Sequence, residues 1–220
     1  MSSNHIQNSS DSLVERRRLM CLPCSKPKPA LFLDRDGVLI EDQNHLCHAG
    51  NIFLCQGAKT LLKYAMQQNW PVVLITNQSG IARGYFDWEE YERVTDRLLE
   101  LLKSTAPLAA IYANGHGPEA PPNSWRKPSP AMLLAAAKDL NLDLSRSLLI
   151  GDRLSDLKAG ASAGLPWLGH VLTGHGAKER SEVKHWISQK KAMTSKNPFF
   201  KLDYLDTLLD FSLDRLNCLG

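Results

Sequence analysis

The stretch Ala30-Leu31-Phe32-Leu33-Asp34-Arg35-Asp36-Gly37-Val38 decides how the rest of the chain is read. An apolar run with strand character ends abruptly in two carboxylates one residue apart, and a glycine follows at once. Unpaired carboxylates cannot extend a buried strand, because desolvating them costs several kcal/mol. They belong where the strand leaves the sheet, at the edge where open α/β folds bind ligands. Two carboxylates held that close repel each other unless a cation or a shared proton intervenes. The pair therefore points to a metal-assisted site with one nucleophilic and one proton-handling aspartate.

Outward from this stretch, short apolar runs alternate with helical patterns. The strand candidates are Leu31–Leu33, Val72–Ile75, Ala109–Tyr112, Leu148–Ile150 and Trp167–Leu172, runs of the kind covered on both faces. Asp87 with Glu90 forms a capping box that opens a helix over Trp88–Leu102, with Tyr91, Val94, Leu98 and Leu101 on one side. Ser129-Pro130 marks a second helix start, and Gln56–Gln68 and Ser155–Ala163 complete the alternation. The expected fold is α/β, a three-layer Rossmann-like sandwich with a parallel sheet flanked by helices. Residues 1–29 are polar and read as a flexible extension, 30–176 as the core, and 177–220 as an extension. That tail holds an amphipathic pattern over Leu202–Leu216, expected as a packed terminal helix.

With 220 residues, 43% hydrophobic and 22% charged, the chain can bury one good-sized core. The net charge of +3 is small, and the basic run Arg16-Arg17-Arg18 lies near the N-terminus instead of striping the folded part, so nucleic acid is not the expected partner. Five scattered cysteines do not make a disulfide scaffold, which points to a reducing cytoplasm; Cys21 and Cys24 read as ordinary thiols. No apolar run has the length of a membrane helix, and no secretory signal is evident.

Three more polar clusters follow strand candidates. Thr76-Asn77-Gln78-Ser79-Gly80 offers a hydroxyl and backbone N–H groups that can cradle phosphoryl oxygens. Arg126-Lys127-Pro128 offers a planar fork and a point charge for anionic oxygens. Gly151-Asp152-Arg153-Leu154-Ser155-Asp156 offers an oxygen ligand for a hard cation. Taken singly, these read as a turn, a solvated pair and a helix cap. Four such clusters at successive strand ends describe one site.

These segments resemble the haloacid dehalogenase (HAD) superfamily: Asp34-x-Asp36-Gly37-Val38, a threonine motif, a lysine, and Gly151-Asp152-x-x-x-Asp156. Thr76–Gly84, Arg126–Pro128 and Thr173–Gly176 are similar to the subfamily of heptose-bisphosphate and histidinol-phosphate phosphatases. The resemblance implies a phosphatase without a large cap domain, since no large insertion separates the first two motifs. It implies Asp34 as the nucleophile, Asp36 as acid and base, and Thr76 and Lys127 on the transferring phosphoryl group. It implies Mg2+ held by Asp34, Asp36 through its backbone carbonyl, and Asp152. Substrate contacts fall to Asp42, Gln43, Asn44, His45, Thr76, Asn77, Gln78, Ser79, Arg126, Lys127 and Arg153; His45 and His48 read as rim residues.

The implied substrate is a small phosphorylated metabolite, first a heptose bisphosphate, handled by a monomer. Histidinol phosphate, 3′-phosphorylated polynucleotides and a non-catalytic phosphosugar-binding module are the alternatives. One departure stands out. Heptose phosphatases commonly hold a structural zinc before Arg-Lys-Pro with three cysteines and a histidine; here Asn114, Asn123 and Trp125 replace the thiolates and only His116 remains. One imidazole cannot build a tetrahedral site. Zinc is therefore expected to be absent, with Pro118, Pro121, Pro122 and Trp125 holding the loop.

Overall fold

In the computed structural model, which describes residues 14–43, 50, 52–103, 108–193 and 199–217, a single sheet runs through the molecule. Its strands are β1 (Glu15–Leu19), β2 (Leu31–Leu33), β3 (Val72–Asn77), β4 (Ala110–Asn114), β5 (Leu148–Gly151), β6 (Trp167–Val171) and β7 (Lys201–Leu205). They lie in the order β1-β4-β3-β2-β5-β6-β7. All neighbours are parallel except β1, which runs antiparallel to β4.

The apolar runs are continuous because both sheet faces are covered. Leu31 and Leu33 enter one apolar layer and Phe32 the other, as the two-residue period of a strand requires. The helices α1 (Ala58–Gln67) and α3 (Trp88–Leu102) contribute Leu61, Leu62, Val94 and Leu98 to the first layer. The second layer takes Met132, Leu133 and Ala136 from α4 (Ala131–Leu140), Leu157 from α5 (Leu154–Ser162), and Val183 and Trp186 from α6 (Gly176–Met193). Full burial of a side chain such as Phe32 stabilises the fold by roughly 1.5–3 kcal/mol. The expected capping box forms: the Asp87 carboxylate accepts from Glu90 N at 2.8 Å, and Glu90 accepts from Asp87 N at 3.0 Å.

The ends of the chain differ from expectation. Residues 15–19 are an edge strand, not a loose arm, because β4 offers them a ladder and acidic residues receive their arginines. Arg17 pairs with Asp139 at 2.8 Å, and Arg18 with Asp96 at 2.6 Å and Glu92 at 3.0 Å. The expected helix over Leu202–Leu216 is instead β7 followed by 3₁₀ turns at Leu208–Asp210 and Leu213–Leu216. Pairing with the open edge of β6 overrides the helical pattern, and Leu208, Phe211 and Leu216 still reach the first apolar layer. The sheet thus extends past the expected 30–176 core on both sides. A single-turn helix α2 (Ser79–Ala82) after β3 was also not expected. Among the described residues, no helix is long and apolar enough to cross a membrane.

Strand order turns back on itself at β2, which has β3 on one side and β5 on the other. The crevice beyond its carboxyl end is where an open α/β sheet leaves room for a ligand.

Candidate active site

Asp34 follows the last residue of β2, and Asp152 the last residue of β5, a parallel neighbour. Asp156 lies one helical turn beyond Asp152, in the first turn of α5, where its Oδ2 accepts from Arg153 N at 2.9 Å and caps the helix. The three carboxylates are buried, and each brings one oxygen within 4.8 Å of the others. Lys127 Nζ is inserted between two of them, 2.8 Å from Asp34 Oδ1 and 2.6 Å from Asp156 Oδ1, and donates to the Ile75 carbonyl at 2.9 Å.

Burial dominates the electrostatics of this floor. It pushes the Asp34 carboxyl up to about 7; Lys127 opposes the shift, while Asp156 and Asp36 add to it. Burial, followed by Asp34 and Asp156, pushes Asp152 up to about 9 against the His175 N–H and Lys127. Burial also disfavours the Lys127 ammonium, but Asp156 and Asp34 outweigh it and hold its pKa above the usual lysine range. Three carboxyl groups thus crowd one buried ammonium, and a further bound cation would favour their ionised forms.

The donor set fits a hard divalent ion. The clustered side-chain donors are carboxylate oxygens, and Asp152 Oδ1 is buried without a hydrogen-bond partner among the described residues. Gly37 (φ 82°) and Gly174 (φ 58°) bring backbone close to this corner; a Cβ there would lie 2.6 and 2.4 Å from Asp152 Oδ2. The other Asp152 oxygen accepts from His175 N at 2.7 Å, and the Asp152 carbonyl is 2.9 Å from His170 Nε2. Burial first, then Arg180, lowers the His170 pKa to about 4, so this ring is neutral and donates from Nε2 while Nδ1 accepts from Arg180 Nε.

The Asp36 carboxylate is not part of the triad. Arg35 grips it with Nε at 3.1 Å and Nη2 at 3.1 Å, and Gln78 Nε2 donates to it at 2.8 Å. Gln78 also donates to Thr76 Oγ1 at 2.7 Å. Thr76 is buried behind Gln78 and does not line the cleft, so its hydroxyl reaches Asp36 through that amide. Asn77 clamps the Lys127 backbone, donating to its carbonyl and accepting from its N–H, both at 3.1 Å.

Above the floor opens a cleft of about 610 Å3 lined by Asp34, Asp36, Asp42, Asn77, Gln78, Ser79, Arg126, Lys127 and Arg153, among others. Gln43 is exposed and outside that lining, and Asn44, His45 and His48 lie outside the described residues. Arg83, Lys158, His175 and Glu179 line it as well, none of them named as a site residue from sequence, although Arg83 and His175 lie in the motif stretches Thr76–Gly84 and Thr173–Gly176. His175 joins two parts of the site, since its ring is 2.9 Å from Asp42 Oδ2 while its N–H serves Asp152. Asp156 had a signal that could have found it: it is the second carboxylate of Gly151-Asp152-x-x-x-Asp156, placed in the first turn of the helix that follows Asp152. Lys158 and Glu179 had no comparable signal.

Residues 124–197 match the family model described as HAD-hydrolase-like. The chain is 44% identical over 149 residues to D-glycero-beta-D-manno-heptose-1,7-bisphosphate 7-phosphatase of Mesorhizobium japonicum, covering 64% of this chain and 69% of that protein. It is 35% identical over 173 residues to D-glycero-alpha-D-manno-heptose-1,7-bisphosphate 7-phosphatase of Campylobacter jejuni, covering 78% and 95%. A Mesorhizobium loti crystal structure described as a HAD-like phosphatase superposes with a TM-score of 0.78 at 32% identity, over 98% of each chain. The D,D-heptose 1,7-bisphosphate phosphatase of B. bronchiseptica, solved with magnesium and phosphate, gives 0.67 at 30% identity, over 82% of this chain and 93% of that one.

Proposed function

The chain belongs to the HAD superfamily and, within it, to the heptose-bisphosphate phosphatases, and on that premise we propose that it hydrolyses a heptose 1,7-bisphosphate through an aspartyl-phosphate on Asp34. The observation that carries the reading is the buried Asp34–Asp152–Asp156 triad gathered around Lys127 at the bottom of a cleft with an arginine rim.

Asp34 attacks phosphorus, and the bond to the sugar oxygen breaks. Lys127 faces the charge that spreads over the phosphoryl oxygens, with no reorganisation needed at the moment of reaction. Asp36 is held on the same turn by Arg35 and Gln78; it gives its proton to the departing alkoxide and then takes one from the water that releases phosphate. Asp34, Asp152 and the Asp36 backbone carbonyl would hold magnesium, whose bound charge offsets the repulsion between the nucleophile and the phosphate.

The substrate's other phosphate falls to the rim, where Arg83, Arg126 and Arg153 line one cleft. Burial lowers the Arg126 pKa first, and the charges of Arg83 and Arg153 lower it further, so an anion placed among them relieves their repulsion. The N-terminal arginines are engaged with Glu92, Asp96 and Asp139, which disfavours a nucleic-acid track there. With only His116 left of the zinc set, the loop before Arg126 works without that metal.

A phosphate-release screen with magnesium, comparing both heptose 1,7-bisphosphate anomers, histidinol phosphate and a 3′-phosphorylated oligonucleotide, tests this reading. Higher kcat/KM on a heptose bisphosphate supports it. Preference for histidinol phosphate or the oligonucleotide moves the substrate, and no release from any of them favours a binding module.

A further inference from the structure

We propose that Glu15, on the edge strand β1, is a positioning residue for Arg126, an inference that rests on the reading of Arg126 as a substrate contact. Arg126 and Lys127 are neighbours in sequence but are fixed in different ways. Lys127 is locked from beneath by Asp34, Asp156 and the Ile75 carbonyl, and its backbone is clamped by Asn77. Arg126 reaches sideways instead: its Nη1 donates to the His116 carbonyl at 2.9 Å. The direction of its guanidinium therefore depends on where His116 and the stretch leading to Trp125 are held.

Both ends of that stretch meet one carboxylate oxygen. Glu15 Oε1 accepts from Trp125 N at 2.7 Å and lies 3.7 Å from His116 Nε2. Strand pairing brings Glu15 there: it is in register with Asn114, and Val14 O accepts from Gly115 N at 2.7 Å. The Trp125 ring, packed on Tyr112 at 5.3 Å between centroids, supports the loop from the sheet side. Such a tie is needed because Arg83 and Arg153 repel Arg126 within the cleft they share. A guanidinium pushed by two like charges stays near them only if its backbone is held. At 2.7 Å the Trp125 N–H bond is a short, charge-assisted one, whereas His116 at 3.7 Å is beyond hydrogen-bond reach. The tie is thus one accepted hydrogen bond, which an amide oxygen in the same place can also accept.

The test is steady-state kinetics of the full-length protein with magnesium, using heptose 1,7-bisphosphate and p-nitrophenyl phosphate, which has no second anionic group. Glu15→Ala is expected to raise KM for the bisphosphate about 5–10-fold, the effect of one misdirected hydrogen-bonding group, with kcat within about twofold. Its constants for p-nitrophenyl phosphate stay at wild-type values, which also reports an intact fold. Glu15→Gln restores wild-type KM, and Glu15→Ala combined with Arg126→Ala is no worse than Arg126→Ala alone. A Glu15→Ala KM equal to wild type, multiplying losses in the double variant, or parallel losses on both substrates overturns the inference while Arg126→Ala still raises KM. An Arg126→Ala variant with unchanged KM overturns the substrate contact itself, and this inference with it.

Discussion

At the floor of the cleft, Asp34 and Asp152 stand just past strand ends, Asp156 lies in the first turn of α5, and Lys127 sets its ammonium between Asp34 and Asp156; at its rim, Arg126 is aimed by a loop tied to Glu15, 110 residues before its partner Trp125. The floor inherits its precision from the sheet backbone, because β2 and β5 fix Asp34 and Asp152 as parallel neighbours. The rim inherits its precision from a strand at the far edge of the sheet. Changes at the floor should therefore strike turnover and stability together, and changes at the rim should strike substrate affinity with the chemistry preserved.

The largest effect is expected from Lys127→Met. It leaves Asp34 and Asp156 buried against each other without their shared cation, at a cost of about 3–5 kcal/mol in unfolding free energy. Urea denaturation reads this directly, and a loss below about 1 kcal/mol, the level of an exposed ion pair, would dissolve the distinction between floor and rim.

Cation removal should reveal the floor next. Asp34 and Asp152 have folded-state pKa values raised to about 7 and about 9 from 3.8. The folded state therefore binds these protons more tightly than the unfolded state. That contribution is present below about pH 4 and is lost as pH rises toward about 9. With chelator, thermal stability from these groups should decline across that window; with magnesium, the gain in Tm should grow with pH. A magnesium gain that is flat with pH would contradict the assignment of those carboxylates to the ion.

The smallest effect sharpens the rim. Arg126→Ala should raise KM for a bisphosphate by about tenfold, as loss of one charged hydrogen-bonding group does, and leave kcat nearly unchanged. A fall in kcat with KM constant would move Arg126 from the rim to the floor.

The same contrast governs what the sequence reveals. Helix Trp88–Leu102 has the bounds its periodicity and capping box indicate, because those signals are local. Asp34, Asp36 and Asp152 are visible as polar residues placed after apolar runs, a pattern with a direct physical cost if misplaced, and Lys127 as a basic residue just ahead of a proline-started helix. Glu15 is invisible for the opposite reason: nothing near it in sequence reports that β4 will lie alongside. Residues 201–205 illustrate the same limit, since their leucines fit a helix until β6 offers an open edge. Asn77 has turn chemistry in sequence, and only the fold shows its amide occupied by the Lys127 backbone.

The central claim is that Asp34 becomes covalently phosphorylated while Asp36 moves the proton. Acid-quenched single-turnover reactions, with heptose bisphosphate and magnesium, followed by peptide mass analysis, test it most directly. The expected result is one phosphoryl group on the peptide containing Asp34, absent in Asp34→Asn and accumulating in Asp36→Asn if the second proton transfer is slowed more than the first. Phosphate release at wild-type rates from Asp34→Asn, or a phosphoryl group trapped on another side chain, would contradict it.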